Sequence, residues 1–200
     1  MDKKDYKLSR RGHDVYLKRI LQSFIMAECP DTPWDGEVQD RLPEKIQEQP
    51  AAAALYFLEF LKSKGIETGR LVDLGCGKGR NSVFFAKNHF EVHAIDKKED
   101  IIAGLDLHGV KTYCQDVSEY LLFEDFYFDF GMDIDCYEDI ADERRNLYKE
   151  QIRRVIKPDG FFLISLSKSF PKEKLIKDFS DFNKIEEKED ENSCWFIFRL

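Results

Sequence analysis

Three glycines at every second position, in Val72-Asp73-Leu74-Gly75-Cys76-Gly77-Lys78-Gly79-Arg80-Asn81, constrain this chain more than any other feature. An apolar, strand-like run precedes them and a helical pattern comes after. Glycine lets a backbone turn sharply and approach a ligand, and the helix start beyond it presents unpaired N–H groups. The segment therefore predicts a strand, loop and helix built around a nucleotide-like ligand. The dinucleotide pattern GxGxxG would need a glycine where Arg80 stands, which disfavours nicotinamide and flavin cofactors.

The rest of the chain fits an α/β sheet. Strand-like runs at Leu71–Leu74, Glu91–Ile95, Val110–Cys114, Phe126–Ile134 and Phe161–Leu166 alternate with helical patterns at Asn81–Asn88, Glu99–Leu107 and Asp142–Ile156. The rhythm then breaks, because Asp181–Glu189 and Ser193–Leu200 are strand-like and are joined only by Asp190, Glu191 and Asn192, so the sheet should end in an antiparallel hairpin. Ahead of the core, Val15–Glu28 has apolar residues at helical spacing, and a turn-rich stretch around Trp34 leads to a helix over Ala51–Lys62. The division expected is an N-terminal helical cover segment, 1–49, and a core α/β domain, 50–200.

Composition narrows the function classes. Seventeen Phe among 200 residues and 42% hydrophobic residues belong to a folded chain with a sizeable core. The net charge of −8 disfavours nucleic-acid and anionic-membrane partners, although Lys3, Lys4, Lys7, Arg10 and Arg11 form a basic N-terminal tail. The five cysteines are widely spaced and form no CxxC pair, so neither a disulfide framework nor a metal site is signalled and a reducing cytoplasm fits best. No apolar run reaches the roughly eighteen residues of a membrane span. The hairpin edge and the N-terminal helix are the surfaces through which a homodimer would form, although no residue demands one.

Asp73 ends the first core strand, Asp96 the second, and Asp116 comes just after the third. Ligands of open α/β sheets bind across the carboxyl ends of the strands, so these three acids should share one rim. Singly, each has a bland reading as a cap or turn residue.

With these residues in place, the chain resembles the class I, seven-stranded Rossmann-like, S-adenosylmethionine-dependent methyltransferases over about residues 50–200. The resemblance rests on VDLGCGKGRN, EVHAID, CQDV and IKPDGFFLISL. It implies a doubly wound, mostly parallel sheet of order 3-2-1-4-5-7-6 with an antiparallel last hairpin. It also implies that Asp73 and the backbone of Gly75, Cys76 and Gly77 hold the methionine end, Asp96 the ribose, and Asp116 with Val117 the adenine. Lys97 departs from the apolar residue that often packs on the adenine. Arg80 is a candidate for a carboxylate, and Trp34, in Pro33-Trp34-Asp35, resembles the cofactor-covering aromatic of tellurite-resistance and thiopurine-type small-molecule enzymes. The function implied is methyl transfer to a small amine, thiol or similar nucleophile, with S-adenosylhomocysteine as product. The alternatives are a methyltransferase acting on protein or RNA, and a non-catalytic cofactor-binding scaffold.

The acceptor side should be the loop after the fourth strand, where Asp133, Asp135, Glu138 and Asp139 cluster in a stretch, Tyr120–Glu143, without Lys or Arg. Asp133 is expected to line the site, on both the cofactor and acceptor sides, with Tyr137 polarising the acceptor. The competing reading makes these acids solvated loop residues and a helix N-cap.

Overall fold

The computed structural model describes residues 49–102 and 105–200. The expected N-terminal helix at Val15–Glu28, the Trp34 turn and nearly all of the cover segment lie outside the described residues. Helix α1 spans Ala52–Ser63, and after it come β1 (Gly69–Leu74), α2 (Arg80–Lys87), β2 (Phe90–Asp96), the short α3 (Glu99–Ile102) and β3 (Lys111–Cys114). The chain continues through β4 (Phe128–Ile134), α4 (Arg145–Val155), β5 (Ile156–Ser167), α5 (Lys172–Asp178), β6 (Asn183–Glu189) and β7 (Ser193–Arg199).

These strands form one sheet of order β3-β2-β1-β4-β5-β7-β6. The pairs from β3 to β5 are parallel, whereas β7 runs antiparallel to both β5 and β6. This is the sheet implied by the sequence, closing hairpin included. Asp190 makes that last turn, accepting from the backbone N–H groups of Asn192 and Ser193 at 2.8 and 2.7 Å.

Alternation along the strands sends neighbouring side chains to opposite faces, and both faces are buried. Leu71, Val92, Phe130, Met132 and Leu163 meet Phe57, Leu61 and Phe85 of α1 and α2. Val72, Leu74, Ile95, Phe162 and Ile164 meet Tyr148, Ile152 and Val155 of α4, with Leu175 and Phe179 beyond. Much of the phenylalanine content is used here in edge-to-face pairs, as in Phe85–Phe90 at 5.4 Å and Phe60–Phe161 at 5.0 Å. Each such ring buries a large apolar area, which offsets the entropy of ordering the loops above.

Three elements differ from expectation. Of the helix expected at Glu99–Leu107, Glu99–Ile102 is helical (α3) and Leu105–His108 forms a 3-10 turn. The one expected at Asp142–Ile156 opens with a 3-10 turn, Asp142–Arg144, a common way for a helix to begin. Helix α5 was not expected, since Leu175 is its one buried residue and so short an element carries little periodic signal. His93 on β2 is a packed residue: it is buried, 3.0 Å from the Tyr113 hydroxyl and 3.2 Å from Glu91.

Candidate active site

The glycine loop is fastened to the end of β2. The amides of Gly75 and Cys76 both donate to the Ile95 carbonyl, at 2.8 and 3.0 Å. Gly77 N–H donates to one oxygen of Asp96 and Lys98 N–H to the other, each at 3.0 Å. Two loops thereby aim the Asp96 carboxylate, leaving each oxygen a further lone pair.

Gly75, Gly77 and Gly79 all have positive φ, at 72°, 53° and 76°. They differ in what surrounds them. A Cβ on Gly75 would fall 2.2 Å from Cys136 Sγ, and one on Gly79 2.4 Å from Leu105 Cδ2, whereas one on Gly77 would meet nothing within 4 Å among the described residues. The first and third glycines let protein pack against protein. The second faces open space, where a ligand would pass close to the backbone.

That space has two compartments. A cleft of about 420 Å³ is lined by Asp96, Lys97, Asp116, Val117 and Arg144 together with Cys136 and Asp139 from the loop after β4. A smaller hollow of about 200 Å³ is lined by Asp73, Cys76, Gly77, Arg80 and Ile134. Gly75 borders both. The structure thus gathers Asp73, Gly75, Cys76, Gly77, Arg80, Asp96, Lys97, Asp116 and Val117 on the rim where the sequence put them.

Electrostatically the rim acids are not alike. Asp73 is 2% exposed and takes a hydrogen bond from the Ser82 hydroxyl. Burial pushes its carboxyl up to about 7, against the lowering effect of Ser82, with the charge of Asp96 adding to the rise. Burial also acts to raise Asp116, but it is outweighed by the Ser118 hydroxyl and N–H, at 2.7 and 2.8 Å, and by Lys97 and Arg144, so that carboxyl lies below its ordinary range. Both Ser118 bonds go to Oδ1. The other Asp116 oxygen takes no hydrogen bond among the described residues, which leaves it available to an amine donor.

Asp133 and Tyr137 are placed differently from the expectation that they line the site. Asp133 is fully buried, and its carboxylate accepts from Tyr148 Oη at 2.5 Å and from the backbone N–H groups of Cys136 and Tyr137 at 3.0 and 3.1 Å. It caps the 3-10 turn Tyr137–Asp139 from below, so its charge is spent on the protein itself. Burial raises this carboxyl to about 7 as well, with Asp73 adding a repulsive contribution. Tyr137 also points inward, its hydroxyl bonded to Asp178 at 2.5 Å and its ring 4.6 Å from the Arg145 guanidinium. The loop residues facing the cleft are Asp135, Cys136, Asp139 and Ile140 instead. Asp135 stands at φ 65°, a strained value for a non-glycine residue, at the point where the chain leaves β4. Arg144 reaches the cleft unanticipated, from the first turn of what looked like a plain surface helix. Trp34 lies outside the described residues, and no cluster of three metal-ligating side chains occurs among the described ones.

The sheet order, with a glycine loop and strand-end acids along one rim, is that of a Rossmann-like α/β fold. The family model described as a methyltransferase domain matches residues 71–160. Among curated proteins it is similar to the "Putative methyltransferase YqeM" of Bacillus subtilis (strain 168), with 26% identity over 183 residues that make up 87% of this chain. The chain spans 62% of that relative's length. Among solved structures it is similar to the Burkholderia thailandensis 1,6-didemethyltoxoflavin-N1-methyltransferase, which was crystallised with 1,6-didemethyltoxoflavin and S-adenosylhomocysteine. The TM-score is 0.65 and the identity 18%, with 99% of this chain and 92% of that one covered. TehB from Haemophilus influenzae is similar as well, at TM-score 0.61 and 19% identity over 74% of this chain and 62% of its own.

Proposed function

We propose that the protein transfers the methyl group of S-adenosylmethionine to a nucleophilic atom of a small molecule, an amine or a thiol. The observation that carries this reading is the open space at Gly77 between a buried Asp73 and an amide-aimed Asp96. When bound, the cofactor supplies a methyl group made electrophilic by its sulfonium. The chain's own residues would then hold and orient. Asp96 would accept from two ribose hydroxyls, with Asp116 and Val117 set for the adenine amine and ring. Asp73 and Arg80 line the hollow where an ammonium and a carboxylate would lie. Such a displacement depends largely on alignment, so no strong base is required.

The acids Asp135 and Asp139 on the cleft wall favour an acceptor whose positive charge lies away from the attacking atom, which itself must be a neutral lone-pair donor. No helix among the described residues is long and apolar enough to cross a membrane. The four cysteines described are free, which supports a reducing cytoplasm as the working compartment.

Calorimetric titration with S-adenosylmethionine, S-adenosylhomocysteine and NAD tests the reading. Micromolar binding of the first two, none of NAD, and loss of binding in Asp96→Ala are expected. A folded protein that binds NAD, or that binds neither sulfur compound, would overturn it.

A further inference from the structure

We infer that Asp133, held by Tyr148, is a positioning residue that sets the loop after β4 against the glycine loop and so shapes the cofactor cleft; this rests on the proposed binding of S-adenosylmethionine. Asp133 is the last fully buried residue of β4, and its carboxylate is the acceptor for two successive amides of the loop, those of Cys136 and Tyr137, which follow Asp135. Tyr148 Oη on α4 fixes the other carboxylate oxygen, at 2.5 Å. The loop so held carries Cys136 onto Gly75, where the thiol occupies the space a Cβ would need. The same loop brings Asp139 and Ile140 to the cleft wall. Gly75 borders both compartments, so a displacement of Cys136 changes the passage between them. Asp133 touches neither compartment and acts through Cys136.

Cys136 itself provides a local readout. Burial, and then the nearby charges led by Asp133, raise its thiol well above the ordinary range, so in the wild type it should react slowly with an alkylating reagent. Cys194, buried on β7 in the sheet core, reports global opening.

The test measures iodoacetamide labelling of Cys136 and Cys194 by peptide mass spectrometry, together with S-adenosylhomocysteine affinity, in wild type, Tyr148→Phe and Asp133→Asn. Losing one hydrogen bond to a buried carboxylate should make Cys136 label about tenfold faster and weaken S-adenosylhomocysteine about tenfold, with Cys194 unchanged. Because Asp133→Asn also removes a charge that raises the Cys136 thiol, Tyr148→Phe decides: Cys136 labelling at the wild-type rate in that variant would overturn the inference. So would a parallel rise at Cys136 and Cys194, which signals general loosening. If the wild type binds no S-adenosylhomocysteine, the cofactor reading fails and the labelling still decides whether Asp133 holds the loop.

Discussion

The loops after β1 and β4 leave adjacent strands at the same rim, and each starts beside a buried carboxylate with a hydroxyl partner. Asp73 has Ser82 and Asp133 has Tyr148, and burial raises both acids to about 7. Yet Asp73 borders the small hollow, whereas Asp133 is turned into the protein and caps its own loop. Similar chemistry borders an open hollow in one case and caps a backbone turn in the other. The difference lies in the residues next along the chain from each acid. Glycines after Asp73 keep the backbone low and open, while the turn after Asp133 closes over the carboxylate.

The largest test of this contrast is Gly75→Ala. Its Cβ would enter the space of Cys136 Sγ at a positive φ, which should cost on the order of 3 kcal/mol of stability and most of the cofactor affinity. Gly77→Ala meets no neighbour within 4 Å among the described residues, so about 1 kcal/mol of backbone strain is expected. Denaturant melts of both variants, and of Gly75→Ala with Cys136→Gly, check this, since the Cys136 Cβ as well as its Sγ stands in the space of the new Cβ. Equal losses in the two single variants, or no recovery in the double one, would show that packing between the loops is not the cause.

A pH series is the next test. Asp73 and Asp133 have folded values near 7, against about 3.9 in an unfolded chain. A raised carboxyl contributes stability that is fully present below its unfolded value and is lost as pH rises through the folded value. Thermal stability should therefore decline from these two groups between about pH 4 and 7. Asp73→Asn and Asp133→Asn should each flatten part of that decline, so each variant gains on the wild type as pH goes from 5 to 8. An unchanged slope in either variant would remove that carboxyl from the account.

The smallest effect is expected at Arg144, which reaches Glu119 at 3.3 Å on the exposed wall of the cleft. Arg144→Ala should change stability by about 0.5 kcal/mol or less, as exposed ion pairs generally do, and weaken S-adenosylhomocysteine only slightly. A stability loss as large as that of Gly75→Ala would contradict the division between packed loops and solvated wall.

The same contrast explains what could be read from the chain. The glycine loop and the acids Asp96 and Asp116 were legible because backbone approach demands glycine and strand ends fix the rim. The sheet order was legible only through resemblance. Asp133 was read as facing a ligand, since alternation assigns faces within a strand but not the path of the chain beyond it. One local signal existed, an Asp three and four residues ahead of the amides it caps. Tyr148, fifteen residues on, had none. Arg144 was hidden because the 3-10 turn that places it differs little in sequence from a first helical turn.

The contact of Cys136 with Gly75 also limits how this domain can diversify. The two loops share one volume, so a bulkier side chain at position 136 has no glycine flexibility left to draw on. Acceptor loops are often regarded as exchangeable parts on a fixed donor-binding base. Here the first residue after Asp135 is common to both, so a grafted acceptor loop would have to bring a small residue to that position or be accompanied by a redesigned glycine turn.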